Sequence, residues 1–310
     1  MKKSFKSRLK GNMTPSKWVF FLSTCAVVFA IYILFCVVPI LQSVKMSFYD
    51  WAGYRRKTPI GWKNYSEILA DPVFWKAFKN DLIITLIKEI IICFLTVLFA
   101  ITLTRLKMKR GEVVFYKFVF YVPNILSVVI IGMLWKFIFM SGSSGLLNAM
   151  ISVFKKDFNA DWITQYPLIS IGFVASWCGV GLFMLTMIAS INQIPGELYE
   201  AARIDGASEM KQLQYITMPA VWLQLTFMVV SILYQSLGGN FALVNVFAPT
   251  GGFENGAMVM GLYVYRYGTG SAGYASRVGY SYAAALVMLV LTSTISLGVK
   301  YFMDKAGEKL

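Results

Sequence analysis

Residues 18–41 have the sequence WVFFLSTCAVVFAIYILFCVVPIL, which contains no charged side chain. A helix needs about 20 consecutive apolar residues to cross the hydrocarbon core of a bilayer. Because backbone polar groups inside a bilayer must find partners within the protein, this stretch predicts a transmembrane helix. It is too long for a secretory signal peptide, and no small-residue cleavage site follows it, so we expect it to remain as a membrane anchor.

Five further stretches share this apolar character, and together they predict an all-α polytopic membrane protein with six transmembrane helices. The predicted spans are residues 18–41, 82–104, 118–140, 166–191, 219–237 and 280–299. The composition agrees, since 57% of the 310 residues are apolar and 14% are charged. In a soluble globular chain about a quarter of the residues are charged. The length would suit roughly two soluble domains, but the spans favour one membrane domain.

The second and third predicted spans contain ionisable residues, namely Lys88 with Glu89 and then Lys136. Ionisable residues inside a membrane often mark a functional site. Each of these lies within about two helical turns of a span end. We therefore predict that their side chains extend to the interface, as long charged side chains do near helix ends, and keep a functional role as the alternative.

The distribution of basic residues predicts the orientation. Six spans place both termini on one side, and segments 1–17, 105–117, 192–218 and 300–310 on that side hold 16 lysines and arginines in 68 residues. The opposite segments hold 11 in 107 residues, seven of them in residues 42–81. The positive-inside rule then makes the first side cytoplasmic. The cluster Arg105, Lys107, Lys109 and Arg110 is the main support for this assignment.

Several classes of function are excluded by residues that the sequence lacks. The net charge is +14, but the charges lie at the ends of apolar runs and no nucleic-acid recognition module is present. There is no histidine, which removes histidine triads and HExxH metal sites. The four cysteines lie inside apolar runs without a C-x-x-C pair, and no P-loop occurs, so we expect no bound metal, cofactor or ATP in this chain.

The segment between predicted spans four and five, residues 193–219, reads QIPGELYEAARIDGASEMKQLQYITMP. Pro195 is suited to begin a helix, Asp205-Gly206 is a turn signal, and Ser208 is suited to cap a second helix. Pro219 can open the next span. A helix-turn-helix with small residues on its surface, such as Ala201 and Ala202, suits docking into a cleft of another protein.

This segment resembles the EAA signature of binding-protein-dependent ATP-binding-cassette (ABC) importer permeases, in Glu200-Ala201-Ala202, Gly206, Ile216 and Pro219. The form EAARIDGAS is similar to the carbohydrate-importer branch. The stretches 60–65 (IGWKNY), 71–75 (DPVFW) and 122–127 (VPNILS) resemble the first permease of maltose-type systems, and the likeness extends over about residues 18–303. Residues 249–254 (PTGGFE) depart from the family by lacking its usual Gly-Gly-Pro.

The resemblance implies a type I ABC importer transmembrane fold and a division of the chain. Residues 1–17 would be a cytoplasmic tail, residues 18–81 the first transmembrane helix and outer loop, residues 82–304 the transmembrane domain with its coupling loop at 192–218, and residues 305–310 a C-terminal tail. The coupling loop would contact an ATPase subunit. The implied coupling residues are Glu200, Ala201, Ala202, Arg203, Asp205, Gly206 and Pro219.

The implied protein is a transport subunit and not an enzyme. It would lie in the lipid of a bacterial cytoplasmic (inner) membrane with both termini in the cytoplasm. Its partners would be a second homologous permease, two ATPase subunits that bind ATP and Mg²⁺, and an extracytoplasmic sugar-binding protein. The cargo would be a sugar or oligosaccharide.

A solute path is predicted along the fifth span. Gln224, Ser231 and Gln235 share one helical face. Tyr234, Asn240 and Tyr282 lie close to them in sequence or at the start of the sixth span. Sugars need hydrogen-bonding groups and aromatic faces, although polar residues in spans also join helices to one another.

Three alternatives remain open from the residues alone. An ion-coupled secondary transporter often shows internal repeats and an ionisable midplane site, and neither is evident. A membrane enzyme would need paired carboxylates inside spans, where Glu89 is the one carboxylate. The third alternative is an ABC permease for a non-sugar solute, such as an amino acid or peptide. The sequence Ile-Asp-Gly-Ala argues against it, because it resembles the carbohydrate-importer branch.

Overall fold

The computed structural model describes residues 14–54, 56–105, 108–142, 144–156 and 158–308. The predicted N-terminal tail, apart from residues 14–17, and Lys107 lie outside these residues, as do residues 309–310 of the predicted C-terminal tail. The α-helices are α1 (Pro15–Tyr32), α2 (Val38–Met46), α3 (Lys63–Ala70), α4 (Pro72–Arg105), α5 (Arg110–Ile125), α6 (Val128–Ile138), α7 (Leu146–Ser152), α8 (Trp162–Gln165), α9 (Pro167–Ile191), α10 (Gly196–Ile204), α11 (Glu209–Gln212), α12 (Met218–Ser236), α13 (Phe241–Phe247), α14 (Met260–Thr269) and α15 (Val278–Gly307). A short ribbon of β1 (Tyr49–Asp50) and β2 (Thr58–Pro59) pairs antiparallel, with Tyr49 opposite Pro59.

Six membrane-crossing segments are present if one bent pair is counted as a span, which agrees with the prediction. Among the described residues five helices are long and apolar enough, and they are Trp18–Met46, Pro72–Arg105, Pro167–Ile191, Glu209–Ser236 and Val278–Gly307. The third predicted span, residues 118–140, is not straight, because α5 and α6 meet at 101°. Leu126 and Ser127 have extended backbone between them, with ψ values of 146° and 132°.

Two helical segments each contain one π-helical turn just before a proline. The turn Ile33–Val37 joins α1 to α2, which carries Pro39, and the turn Leu213–Thr217 joins α11 to α12, which carries Pro219. Proline has no N–H, and its ring crowds the carbonyl four residues earlier, so a local widening accommodates it. Pro219 lies in the first turn of α12, where it was predicted to open the span, although the π-helical turn joins this helix to α11 without a break from Glu209 to Ser236.

The centre of the bundle is the contact between α4 and α9. Gly172 and Gly179 of α9 allow this close packing, because a Cβ at these positions would lie 2.7 Å from side-chain atoms of Ile87 and Ile92. Small residues let membrane helices approach in this way. The first helix is peripheral, with none of its apolar window buried in the chain, and it reaches the bundle where α2 packs against α15.

The buried side chains form two hydrophobic clusters at opposite ends of the bundle. One lies at the end formed by residues 47–71 and 238–277, here called the loop end, and includes Phe74, Met258 and Tyr263. The other lies at the end that carries α10 and α11 and includes Met187, Val221 and Met228. Residues 195–212, which contain these two short helices, are here called the 195–212 hairpin.

Parts of the loop end are built into the long helix α4 and into the core. Pro72 begins a helix, with the Asp71 carboxylate accepting a hydrogen bond from Val73 N–H at 2.7 Å. That helix does not stop at the membrane surface but continues as α4 to Arg105, since no proline or glycine interrupts it after Pro72. Residues 257–260 are fully buried, so this part of the glycine-rich segment 238–279 belongs to the core.

Candidate functional site

The 195–212 hairpin has the helix-turn-helix form that its sequence predicts. Helix α10 ends at Ile204, and Gly206 makes the turn with φ 78°, a conformation that glycine adopts without a steric penalty. The Ser208 hydroxyl caps α11 by accepting a hydrogen bond from Lys211 N–H at 3.4 Å. No atom lies within 4 Å of a Cβ placed at Gly206, so the turn projects away from the rest of the described chain.

The surface of this hairpin is unusually apolar for a segment between helices. Ile204 is 86% exposed, Met210 69% and Leu198 50%. Six of the seven predicted coupling residues lie on the first helix or at the turn, and they are Glu200, Ala201, Ala202, Arg203, Asp205 and Gly206. All but the half-buried Ala202 are exposed. Pro219 lies apart from them, in the first turn of α12.

Arg105, which sequence reasoning used only for orientation, holds the hairpin to the bundle. Its guanidinium lies 4.0 Å from the ring centroid of Tyr199 on α10. It donates a hydrogen bond of 2.6 Å to the hydroxyl of Thr217, and that hydroxyl lies 3.0 Å from the Tyr199 hydroxyl. Glu209 of α11 completes the surroundings at 3.5 Å. The only sequence signal for this cluster was a basic residue at the end of a predicted span.

A cavity of about 250 Å³ lies where two helix breaks face each other. One break separates α5 from α6, and the other separates α12 from α13. The polar side chains that line this cavity belong to Lys88, Asn124, Gln235 and Asn240. The Asn124 amide donates to the carbonyl oxygen of Cys178 at 3.2 Å, which holds the break between α5 and α6 against α9.

The predicted solute-path residues do not meet in one place. Gln235 and Asn240 line the cavity, whereas Ser231 and Tyr234 line a separate groove with Lys300 and Asp304. Gln224 lines a hollow beside Pro195 and Leu198, and its amide donates to the Thr186 hydroxyl at 2.9 Å. Tyr282 is half-buried near the start of α15 and lines none of these three hollows.

Lys88 and Glu89 are placed differently from the prediction, whereas Lys136 is exposed in the last turn of α6. Lys88 lines the cavity, and within the described residues its ammonium makes no hydrogen bond and no ion pair. Glu89 accepts a weak hydrogen bond from the Cys93 thiol at 3.6 Å, so it too stays within the bundle. Lys136 donates to the carbonyl oxygen of Val246 at 3.1 Å and so bridges α6 to α13.

Asn80 and Asp81 anchor the loop end, which the sequence did not indicate. The Asp81 carboxylate accepts hydrogen bonds from Met260 N–H at 2.8 Å and from the Asn240 amide at 3.3 Å. The Asn80 amide donates to the carbonyl oxygens of Asn255, Gly256 and Met258, the last at 2.8 Å. Asp81 is completely buried. These two residues attach segment 238–260 to α4.

Residues 94–306 of the chain match the family described as "Binding-protein-dependent transport system inner membrane component". Over 286 residues the chain is 33% identical to the probable ABC transporter permease protein YurN of Bacillus subtilis, covering 90% of this chain and 94% of that protein. It is 27% identical to the diacetylchitobiose uptake system permease protein NgcF of Streptomyces coelicolor, covering 93% of this chain and 84% of NgcF.

The fold is also similar to a solved structure. A chain of a bacterial ABC transporter involved in the import of the acidic polysaccharide alginate superposes with a TM-score of 0.76. The sequence identity is 20%, and the match covers 95% of this chain and 96% of the other. At this identity the likeness concerns the arrangement of the helices.

Proposed function

The chain belongs to the family of inner membrane components of binding-protein-dependent transport systems, and from this premise we propose that it is a permease subunit of an ATP-driven importer for a sugar or oligosaccharide. The family is one of transport permeases and not of enzymes. Relatives named for transport of diacetylchitobiose and of lactose support a carbohydrate as cargo. A second, homologous permease would complete the translocation path, and an external binding protein would deliver the solute.

The observation that carries the proposal is the exposed apolar surface of the 195–212 hairpin. Exposed apolar surface on a folded element is typical of a docking site, and Ile204 and Met210 supply it beside Gly206. In the proposal a groove of an ATPase subunit receives α10, and ATP with Mg²⁺ binds to the two ATPase subunits alone. Movement of the ATPases would displace the hairpin as a rigid body. For ATP to drive transport, the nucleotide must favour one state of the bundle over the other.

The cavity between the two helix breaks is the best candidate for this chain's part of the solute path. Broken helices near the middle of transporters leave backbone and side-chain groups that can bind a solute. The amides of Asn124, Gln235 and Asn240 offer the donors and acceptors that sugar hydroxyls need. A volume of about 250 Å³ is small for an oligosaccharide, which fits a path shared with a second permease.

The orientation follows from the same proposal. The 195–212 hairpin would face the cytoplasm, where the ATPase subunits lie, and both termini would lie on that side. The basic residues Lys109 and Arg110, which begin α5 near the hairpin end, agree with this assignment.

The experiment is uptake of labelled oligosaccharides into membrane vesicles that contain the wild-type chain and its presumed partners. Wild type is compared with Gly206→Pro, in which proline cannot adopt the φ of 78°. Gly273→Pro is the matched control, because Gly273 has φ 84° and equally open surroundings in a loop at the opposite end.

We expect uptake to require ATP and the binding protein. Gly206→Pro should reach the membrane but lose ATP-driven uptake, and Gly273→Pro should retain most of it. Uptake that ignores ATP and follows an ion gradient would contradict the proposal and support a secondary transporter. Equal loss in both variants would contradict the assignment of coupling to the hairpin.

A further inference from the structure

One residue of α4 contacts both the hairpin and the turn that leads from the hairpin into α12. Arg105 is the last residue of that helix, and its guanidinium contacts α10 through Tyr199 and the start of α12 through Thr217. The Tyr199 and Thr217 hydroxyls also lie within hydrogen-bonding distance of each other. A side chain of α4 therefore meets two neighbouring elements that follow it by about a hundred residues, since Arg105 and Thr217 are 112 residues apart.

The contacts of Arg105 differ in strength. Thr217 is 1% exposed, so its hydrogen bond to the guanidinium is shielded from water. The guanidinium is planar and stacks on the Tyr199 ring, which a lysine ammonium cannot reproduce. The ion pair with Glu209 contributes little, because the Glu209 side chain is 76% exposed and its charge is screened. The attachment therefore depends on Tyr199 and Thr217.

Helix α4 is placed to carry a displacement from one end of the molecule to the other. Its 34 residues span about 50 Å at 1.5 Å per residue. Along this length Arg105 contacts the hairpin, Lys88 lines the cavity, and Asp81 anchors the loop end. A movement of α4 would therefore alter the cavity wall directly.

We propose that Arg105 is the positioning residue that fastens the 195–212 hairpin to α4, so that displacement of the hairpin moves α4 and reshapes the cavity. This inference rests on the proposed function, because it assigns the residue through which ATP-driven movement reaches the solute path. The π-helical turn Leu213–Thr217 lets the helix bend just before α12, while α4 moves as a continuous helix.

The test measures how many sugar molecules are imported per ATP hydrolysed by the complete complex in liposomes. Arg105→Lys keeps the positive charge but loses the contact of the planar guanidinium with the Tyr199 ring and the fixed geometry of its N–H donors. Arg110→Lys is the matched control, since Arg110 is exposed at the start of α5 and has no part in the cluster. We expect Arg105→Lys to lower the ratio about 10-fold, within the usual range of coupling between two sites, and Arg110→Lys to leave it unchanged.

Two milder variants test the same cluster without altering Arg105. Thr217→Val removes the acceptor at nearly constant volume, and Tyr199→Phe keeps the ring but removes the hydroxyl. Each should lower the ratio less than Arg105→Lys does. Their effects should be non-additive with it, because residues in one network share their interaction energy.

The outcomes separate this inference from the proposed function. If wild type imports without ATP, the proposed function itself fails. If wild type is ATP-driven and Arg105→Lys and Thr217→Val both keep the wild-type ratio, the role of Arg105 is overturned while the proposed function stands. The role of Arg105 would also be overturned if the variant's lower ratio were accompanied by dissociation of the ATPase subunits or by a lower melting temperature. Arg105 would then only stabilise the folded complex.

Discussion

The two ends of the bundle are held together in opposite ways. At the loop end a completely buried carboxylate, Asp81, binds the start of α14, and Asn80 binds three carbonyl oxygens of the preceding segment. At the other end the 195–212 hairpin exposes most of its side chains and is fastened through Arg105. Buried polar networks are costly to break, whereas an exposed hairpin can move as a unit at the cost of few contacts.

This difference indicates that the two ends of α4 have different roles. The loop end has the construction of a rigid body, because the side chains of Asn80 and Asp81 are buried and bind backbone groups of a different element. The hairpin end has the construction of a docking element, because the apolar side chains of Ile204 and Met210 are largely exposed. A transporter of the proposed kind, moved by separate ATPase subunits, would need both properties in one subunit.

The strongest test of the rigid loop end is Asp81→Ala. The change leaves Met260 N–H without its acceptor and leaves the Asn240 amide with the Ser236 carbonyl oxygen alone, and an unsatisfied buried group costs about 1–3 kcal/mol. We expect the melting temperature of the purified chain in detergent to fall by several degrees and the yield of folded protein to drop. Asp81→Asn, which keeps one acceptor oxygen, should lose less. A melting temperature unchanged in both variants would mean that segment 238–260 is held by other contacts.

The docking surface is tested by Ile204→Glu. Ile204 is 86% exposed, so a charge there should leave the melting temperature of the isolated chain unchanged. Binding of the ATPase subunits should weaken by about 10-fold or more, as expected for loss of a well-packed apolar contact. The measurement is co-purification at graded ATPase concentrations. Phe154→Glu is the control, since Phe154 is 93% exposed outside the hairpin, and equal binding by both variants would contradict the assignment.

A smaller effect is expected from Tyr263→Phe at the loop end. The Tyr263 hydroxyl donates to Asp71 at 2.6 Å and lies 2.5 Å from the Tyr280 hydroxyl. Its removal should cost about 1 kcal/mol of stability, the usual net value of one hydrogen bond. Tyr265→Phe is the matched control, because its exposed hydroxyl makes no hydrogen bond within the described chain. Thermal unfolding that does not separate these two variants would show that the cluster adds nothing to the rigidity.

The sequence predicted those features that depend on local physics. Uncharged stretches of membrane length must form helices in lipid, so the spans could be located from composition. The 195–212 hairpin was also predictable, since a glycine turn and a serine cap act within a few residues of each other. Its proposed role in coupling came from resemblance and stays a prediction.

The features that the sequence did not predict depend on contacts between distant segments. The spacing places Gln224, Ser231 and Gln235 on one helical face. In the structure, however, each of them lies in a different hollow with different neighbouring residues. Asp81 and its partner Met260 are 179 residues apart, and no local pattern connects them. The bend after Ile125 had a weak signal in Pro123, which lies inside α5 close to its end.

The most direct measurement is hydrogen exchange of backbone amides in the chain with and without the ATPase subunits. We predict that peptides covering residues 196–208 become protected when the ATPase subunits bind, and that peptides covering residues 255–263 are already protected and do not change. Protection that appears at residues 255–263, or a hairpin whose exchange is unaffected by the ATPase subunits, would contradict the division between a rigid loop end and a docking hairpin.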